Sequence, residues 1–177
     1  IARRSGTSLV VQAGLTTGRV LGKMRQHVLP EAAMHYKKNV LVVEDNPDHL
    51  EFTTLTLRES GLVGDIAVAT DGAEALDYLF AQGQYAQRDV HDQPALVLLD
   101  LKMPKLSGHE VLQRMRADPR TETIPVVVLS SSSEEEDIQA SFKCGANSFV
   151  RKPVDFDRFT EQLAKLQVYW LSVNESA

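Results

Sequence analysis

Five short apolar runs recur along the chain from Asn39 onward, and after each the apolar residues return at helical spacing. Val40 to Val43 is β-branched and leucine-rich and reads as a strand. Glu44-Asp45-Asn46-Pro47 follows, with two acids at the strand's carboxyl end and a proline suited to the first turn of a helix. Leu50, Thr53, Thr54 and Leu57 continue that helix until Ser60-Gly61. A second strand is expected over Ile66 to Ala69, then the turn Asp71-Gly72 and a helix with Ala73, Leu76, Leu79 and Phe80 on one face. Gly83 to Gln93 is polar and reads as a surface loop. Ala95 to Leu99 is apolar throughout, the pattern of a strand buried on both faces, and it stops at Asp100. Met103-Pro104 closes this strand, and Ser107-Gly108 opens a helix carrying Val111, Leu112 and Met115. Val126 to Leu129 ends at Ser130, and Ser133 with Glu136 reads as the capping box of the next helix. Gly145 ends that helix, Phe149-Val150 is a short strand, and Phe156, Phe159, Leu163 and Leu166 mark the last helix. Strand and helix alternate five times, which predicts an α/β protein with a parallel sheet and helices on both faces.

Composition changes this picture at the ends. The chain has 177 residues, 43% of them hydrophobic, enough for one good core. Its formal net charge of -5 is uneven: residues 1–38 carry seven Lys or Arg against one acid, leaving twelve against twenty-three in residues 39–177. A core at -11 repels nucleic acid, so no nucleic-acid partner is expected. Cys144 is the only cysteine, which excludes an internal disulfide and fits a reducing, cytoplasmic setting. No apolar run reaches membrane-spanning length, so no membrane partner is expected either. The domain plan is therefore a basic extension over 1–38, a folded domain over 39–170 and a short tail over 171–177. Met34 is the expected natural start, and a disordered basic tail is the other reading of what precedes it.

In a parallel sheet the carboxyl ends of all strands share one edge, where open α/β folds place ligand sites. Glu44, Asp45, Asp100, Ser130 and Lys152 finish strands 1, 3, 4 and 5 and should converge there. Any one of the three carboxylates alone reads as a helix cap or surface acid; jointly that reading fails. Crowded carboxylates repel one another unless a cation joins them. With no His or Cys at these strand ends, the cation expected is Mg²⁺, with Mn²⁺ as the alternative. The Ser130 hydroxyl and the Lys152 ammonium suit the oxygens of an incoming phosphate. A carboxylate nucleophile beside a metal, a hydroxyl and an ammonium is arranged for phosphoryl transfer to Asp100.

The acidic pair Glu44-Asp45, Asp100 in Asp-Leu-Lys-Met-Pro, Ser130 thirty residues later and the ending Phe149-x-x-Lys152-Pro153 resemble the receiver domain of two-component response regulators. The resemblance covers residues 39 to about 170 and implies a flavodoxin-like, doubly wound sheet of five strands in the order 2-1-3-4-5. It implies that Asp45 and Asp100 bind Mg²⁺ directly, with the Lys102 backbone carbonyl as a third ligand and Glu44 acting mainly through metal-bound water. Ser130 and Phe149 would be the switch pair, and Lys152 would meet the phosphoryl group. The polar insertion before the central strand, Val97-Leu-Leu-Asp-Leu-Lys-Met-Pro-Lys-Leu-Ser-Gly-His-Glu-Val-Leu112 and the Tyr169-Trp170 tail resemble regulators paired with phytochrome histidine kinases. That narrower resemblance implies a phytochrome-type sensor kinase as partner and a homodimer through helix 4, strand 5 and helix 5. Glu44 and Ser131 depart from the family's commoner Asp and small residue.

The resulting expectation is a phosphoacceptor that assists its own phosphorylation and dephosphorylation rather than a turnover enzyme. With no output domain expected after Ala177, its signal would leave by protein contact. A non-phosphorylated interaction module and a phosphorelay intermediate of another kinase type are the alternatives. An Asp-nucleophile phosphatase would need an acid where Lys102 stands, and a flavin or nucleotide binder would need a Gly-rich loop where Glu44-Asp45 stands.

Overall fold

A computed structural model describes residues 38–175. The basic extension up to residue 37 and the start expected at Met34 lie outside the described residues. Five strands, β1 (Lys38–Val43), β2 (Val63–Ala69), β3 (Leu96–Leu99), β4 (Val126–Ser130) and β5 (Ser148–Arg151), form one sheet in the order β2-β1-β3-β4-β5. Every pairing is parallel, with Val43 opposite Leu99 and Leu99 opposite Val128. Five helices alternate with them: α1 (Pro47–Glu59), α2 (Gly72–Phe80), α3 (Gly108–Arg116), α4 (Glu135–Lys143) and α5 (Phe156–Gln167).

Strand side chains alternate in direction, so the buried runs divide into two cores. Leu41, Val43, Val97, Leu99, Val126 and Val128 pack with Ala75, Leu79, Val111, Leu112 and Met115 of α2 and α3. Val40, Val42, Leu96, Leu98, Val127 and Leu129 face the other way, onto Leu57 of α1 and Phe159, Leu163 and Leu166 of α5. Each fully buried leucine or valine contributes about 1.5–3 kcal/mol. Among the described residues, neither core contains a side chain from α4.

Three local findings refine the sequence expectations. β2 begins at Val63 rather than Ile66: as an edge strand it exposes Gly64 and Asp65, which hides its start, and the Asp65 N–H is anchored by Asn39 Oδ1 at 3.0 Å. The capping box expected at Ser133 and Glu136 does not form. Glu134 is the N-cap of α4, its side chain caps nothing, and the expected pair is one residue out of register. Ser107 and Glu110, by contrast, make a complete reciprocal box on α3. After α5 the chain continues as a wider helical turn over Val168–Val173.

The polar loop Gly83 to Gln93 is fixed to α2. Tyr85 meets Tyr78 edge-on at 5.2 Å, and the Arg88 guanidinium lies 4.1 Å over the same Tyr78 ring. Arg88 also donates to the Tyr78 carbonyl at 3.1 Å, and Gln93 Nε2 to that of Leu79 at 2.9 Å.

Candidate functional site

The ladder delivers the expected residues to one edge. The Glu44 N–H donates to the Ala69 carbonyl and the Asp100 N–H to that of Val43, each at 3.0 Å, so both acids leave the sheet beside β1. Lys152 arrives from the far side, its N–H donating to the Ser130 carbonyl at 2.8 Å. Close approach of α3 completes the rim. A Cβ on Gly108 would lie 2.3 Å from the Asp100 carbonyl oxygen, so only glycine lets α3 start there.

Glu44, Asp45 and Asp100 each offer a carboxylate oxygen within 4.8 Å of the others. Glu44 and Asp100 are buried and Asp45 is exposed, so the cluster opens to solvent on one side. Lys152 Nζ, itself buried, is shared: it donates to Asp100 Oδ2 at 2.7 Å and to Glu44 Oε2. Asp100 Oδ1 accepts the Leu101 N–H at 2.6 Å. Three carboxylates against one ammonium leave two negative charges, the deficit one divalent cation balances. The donors are all oxygens, which fits a hard divalent metal ion. Burial pushes the Glu44 carboxyl above its ordinary value; the bond from Lys152 opposes that rise and the Asp100 charge adds to it.

Ser130 is fully buried at the end of β4, where its Oγ accepts the Ser132 N–H at 3.2 Å. Phe149 lies opposite Val128 on β5 and packs against the α2–α3 core. Lys102 is two residues beyond Asp100, with its ammonium 4.0 Å from Asp137 on α4. His49 was missed from sequence. Its Nδ1 lies 3.4 Å from Glu44 Oε1, because the Asn46 cap brings the first turn of α1 back over the end of β1. Lys105 was missed too. Held at φ +63, it places Nζ 2.6 Å from Asp71 and ties the β3–α3 loop to the start of α2.

A five-stranded 2-1-3-4-5 sheet with acids and a buried lysine at its carboxyl edge is the architecture of a signalling receiver domain. The chain belongs to the response regulator receiver domain family, whose pattern matches residues 40–164. It is similar to response regulator Rcp1 of Synechocystis sp., with 31% identity over 76% of this chain and 89% of Rcp1. The crystal structure of Mn²⁺-bound Rcp1 superposes with a TM-score of 0.73 at 30% identity, over 79% of this chain and 99% of that one. Phosphorylated RcpA, a cyanobacterial phytochrome response regulator, gives a TM-score of 0.75 at 33% identity, covering 80% of this chain and 99% of that one. The bacteriophytochrome response regulator AtBRR is 46% identical, with a TM-score of 0.63 over 79% of this chain and 99% of its own. The protein is a receiver-domain response regulator, and receiver domains are the partners of sensor histidine kinases. No helix among the described residues is long and apolar enough to cross a membrane.

Proposed function

We propose that the chain is a cytoplasmic phosphoryl switch for a phytochrome-type sensor kinase. Asp100 takes the phosphoryl group from a kinase phosphohistidine: a carboxylate oxygen forms the new bond to phosphorus, the bond from phosphorus to imidazole nitrogen breaks with its electron pair going to that nitrogen, and the imidazole leaves neutral, keeping the proton already on its other ring nitrogen. The observation that carries this reading is the meeting of Asp100 with Lys152 at 2.7 Å and with Glu44 and Asp45 inside 4.8 Å. Asp45, Asp100 and the Lys102 carbonyl would hold Mg²⁺, and Glu44 would reach it through water. The ion supplies charge neutralisation for the transferring phosphoryl group. Lys152 steadies the phosphoryl oxygens, while Ser130 and Phe149 report occupancy toward α4, β5 and α5. The resemblance to the two phytochrome response regulators supports the choice of kinase. Half-exposed Phe142 on α4 supports a homodimer through α4, β5 and α5.

The test is intact mass after incubation with Mg²⁺ and a small phosphodonor. One phosphoryl adduct is expected on the wild type, and none on Asp100→Asn or with metal chelated. An adduct that survives Asp100→Asn overturns the site, and a folded wild type that takes none overturns the switch.

A further inference from the structure

Among the described residues, two that are not glycine hold a positive φ: Ala81 at +52 and Lys105 at +63. Ala81 is the C-cap of α2, where a left-handed residue is a common way to end a helix. Lys105 ends no helix. It lies in the loop between β3 and α3, and the Leu106 N–H donates across it to the Pro104 carbonyl at 2.7 Å. A three-residue turn with a positive φ at its centre is the strained hand of that turn, and a residue bearing a Cβ keeps it only where the surroundings enforce it.

The enforcement comes from one carboxylate. Lys105 Nζ donates to Asp71 Oδ2 at 2.6 Å. Asp71 is buried and already committed as the N-cap of α2, its Oδ1 taking the Glu74 N–H at 2.8 Å. The bond from Lys105 holds the Asp71 carboxyl below its ordinary value, so the pair is charged at neutral pH. The Lys105 side chain is 66% exposed, so the ion pair rather than packing accounts for the turn. The loop is seated hard against α2: a Cβ on Gly72 would lie 2.3 Å from the Leu106 carbonyl oxygen.

The base of the loop is fixed as well, by the Gly108 N–H donating to the Leu101 carbonyl at 2.9 Å. Lys102 stands between that closure and the turn. It makes no hydrogen bond of its own among the described residues, and its ammonium is 4.0 Å from Asp137, beyond hydrogen-bond reach. The backbone at Lys102 is therefore placed by the ties on either side of it, and its carbonyl is free to accept.

We propose that Lys105 is a positioning residue for the divalent-ion site: its ion pair with Asp71 holds the strained turn, the turn sets the backbone at Lys102, and that backbone sets how tightly the acidic cluster takes the ion. The inference rests on the phosphoryl-switch reading, in which the Lys102 carbonyl is the third protein ligand. Lys105 itself bonds to Asp71 and to none of Glu44, Asp45 or Asp100.

The test is Mn²⁺ titration of the full chain, read by electron paramagnetic resonance of the free ion, beside urea unfolding of the same metal-free samples. The wild type should bind one ion, and Asp100→Asn should lose it. Lys105→Met keeps the length of the side chain without its charge and should bind about tenfold more weakly, the scale on which outer partners of metal ligands act. Lys105→Arg can reach Asp71 again and should return to the wild-type affinity. Lys105→Gly separates positioning from stability, because glycine takes a positive φ without strain. It should unfold at a urea concentration no lower than Lys105→Met does, yet bind Mn²⁺ as weakly. A merely structural residue would move both readouts together. Wild-type affinity in Lys105→Met or Lys105→Gly, or unrestored affinity in Lys105→Arg, overturns the positioning role alone. A folded wild type that binds no Mn²⁺, or binding that survives Asp100→Asn unchanged, overturns the site reading and the inference with it.

Discussion

Helices α3 and α4 have nine residues each and flank β4, yet they are held by different physics. α3 buries Gly108, Val111, Leu112 and Met115 and starts with a complete capping box. α4 buries Ser141 and starts with no side-chain cap. Apolar burial is non-directional and grows with area, so α3 resists displacement in every direction. Hydrogen bonds are directional and individually modest, so α4 is stiff where they cluster and loose where they thin out. A domain that must stay folded while changing one face gains from this division, since segments with little buried apolar area open at low free energy.

The sharpest way to break the comparison is to remove matching bulk from each helix. Leu112→Ala should destabilise the domain by about 2–5 kcal/mol, whereas Phe142→Ala on α4 should stay within about 0.5 kcal/mol, both measured by chemical denaturation. Equal losses would mean that α4 has an apolar anchor. Arg116→Met comes next: it strips four acceptors, the carbonyls of Thr121, Ile124 and Gly145 and Asn147 Oδ1, of a charged donor and should cost about 2–3 kcal/mol, with hydrogen exchange rising first at Gly145 and Asn147. The caps give the smallest effect. Ser107→Ala should cost about 1 kcal/mol at neutral pH, and Ser133→Ala nothing measurable. The Ser107 N–H and hydroxyl hold the Glu110 carboxyl below its ordinary value of 4.5. That contribution is present above pH 4.5 and is lost as pH falls through the lowered folded value. Unfolding curves across this range should therefore show the penalty of Glu110→Gln fading in acid, while the α4 variants show no such trend.

Most of the sheet was legible because β1, β3 and β4 are buried on both faces and so appear as unbroken apolar runs. β2 lost its first residues to the same rule, since Gly64 and Asp65 sit on an exposed edge and look like a loop. The acidic site was legible because strand ends in a parallel sheet converge whatever the intervening helices do. Contacts set by helix docking were not. His109, Gln113 and Arg116 stand at i, i+4 and i+7, a spacing that ordinarily marks a solvated face. Only the placement of α4, some thirty residues later, reveals that these side chains face Ser141, Cys144 and Gly145. The S-x-x-E pattern at Ser133 misled for a related reason: a motif fixes spacing but not the residue at which the helix begins.

The loop from Gly83 to Gln93 is a finished surface, not a tether. The Tyr85 ring meets Tyr78 edge-on and the Arg88 guanidinium lies over the same ring, so a partner docking on that flank of α2 would freeze few rotors there and keep more of its contact energy as affinity. Docking there would be a fit to a relief already cut.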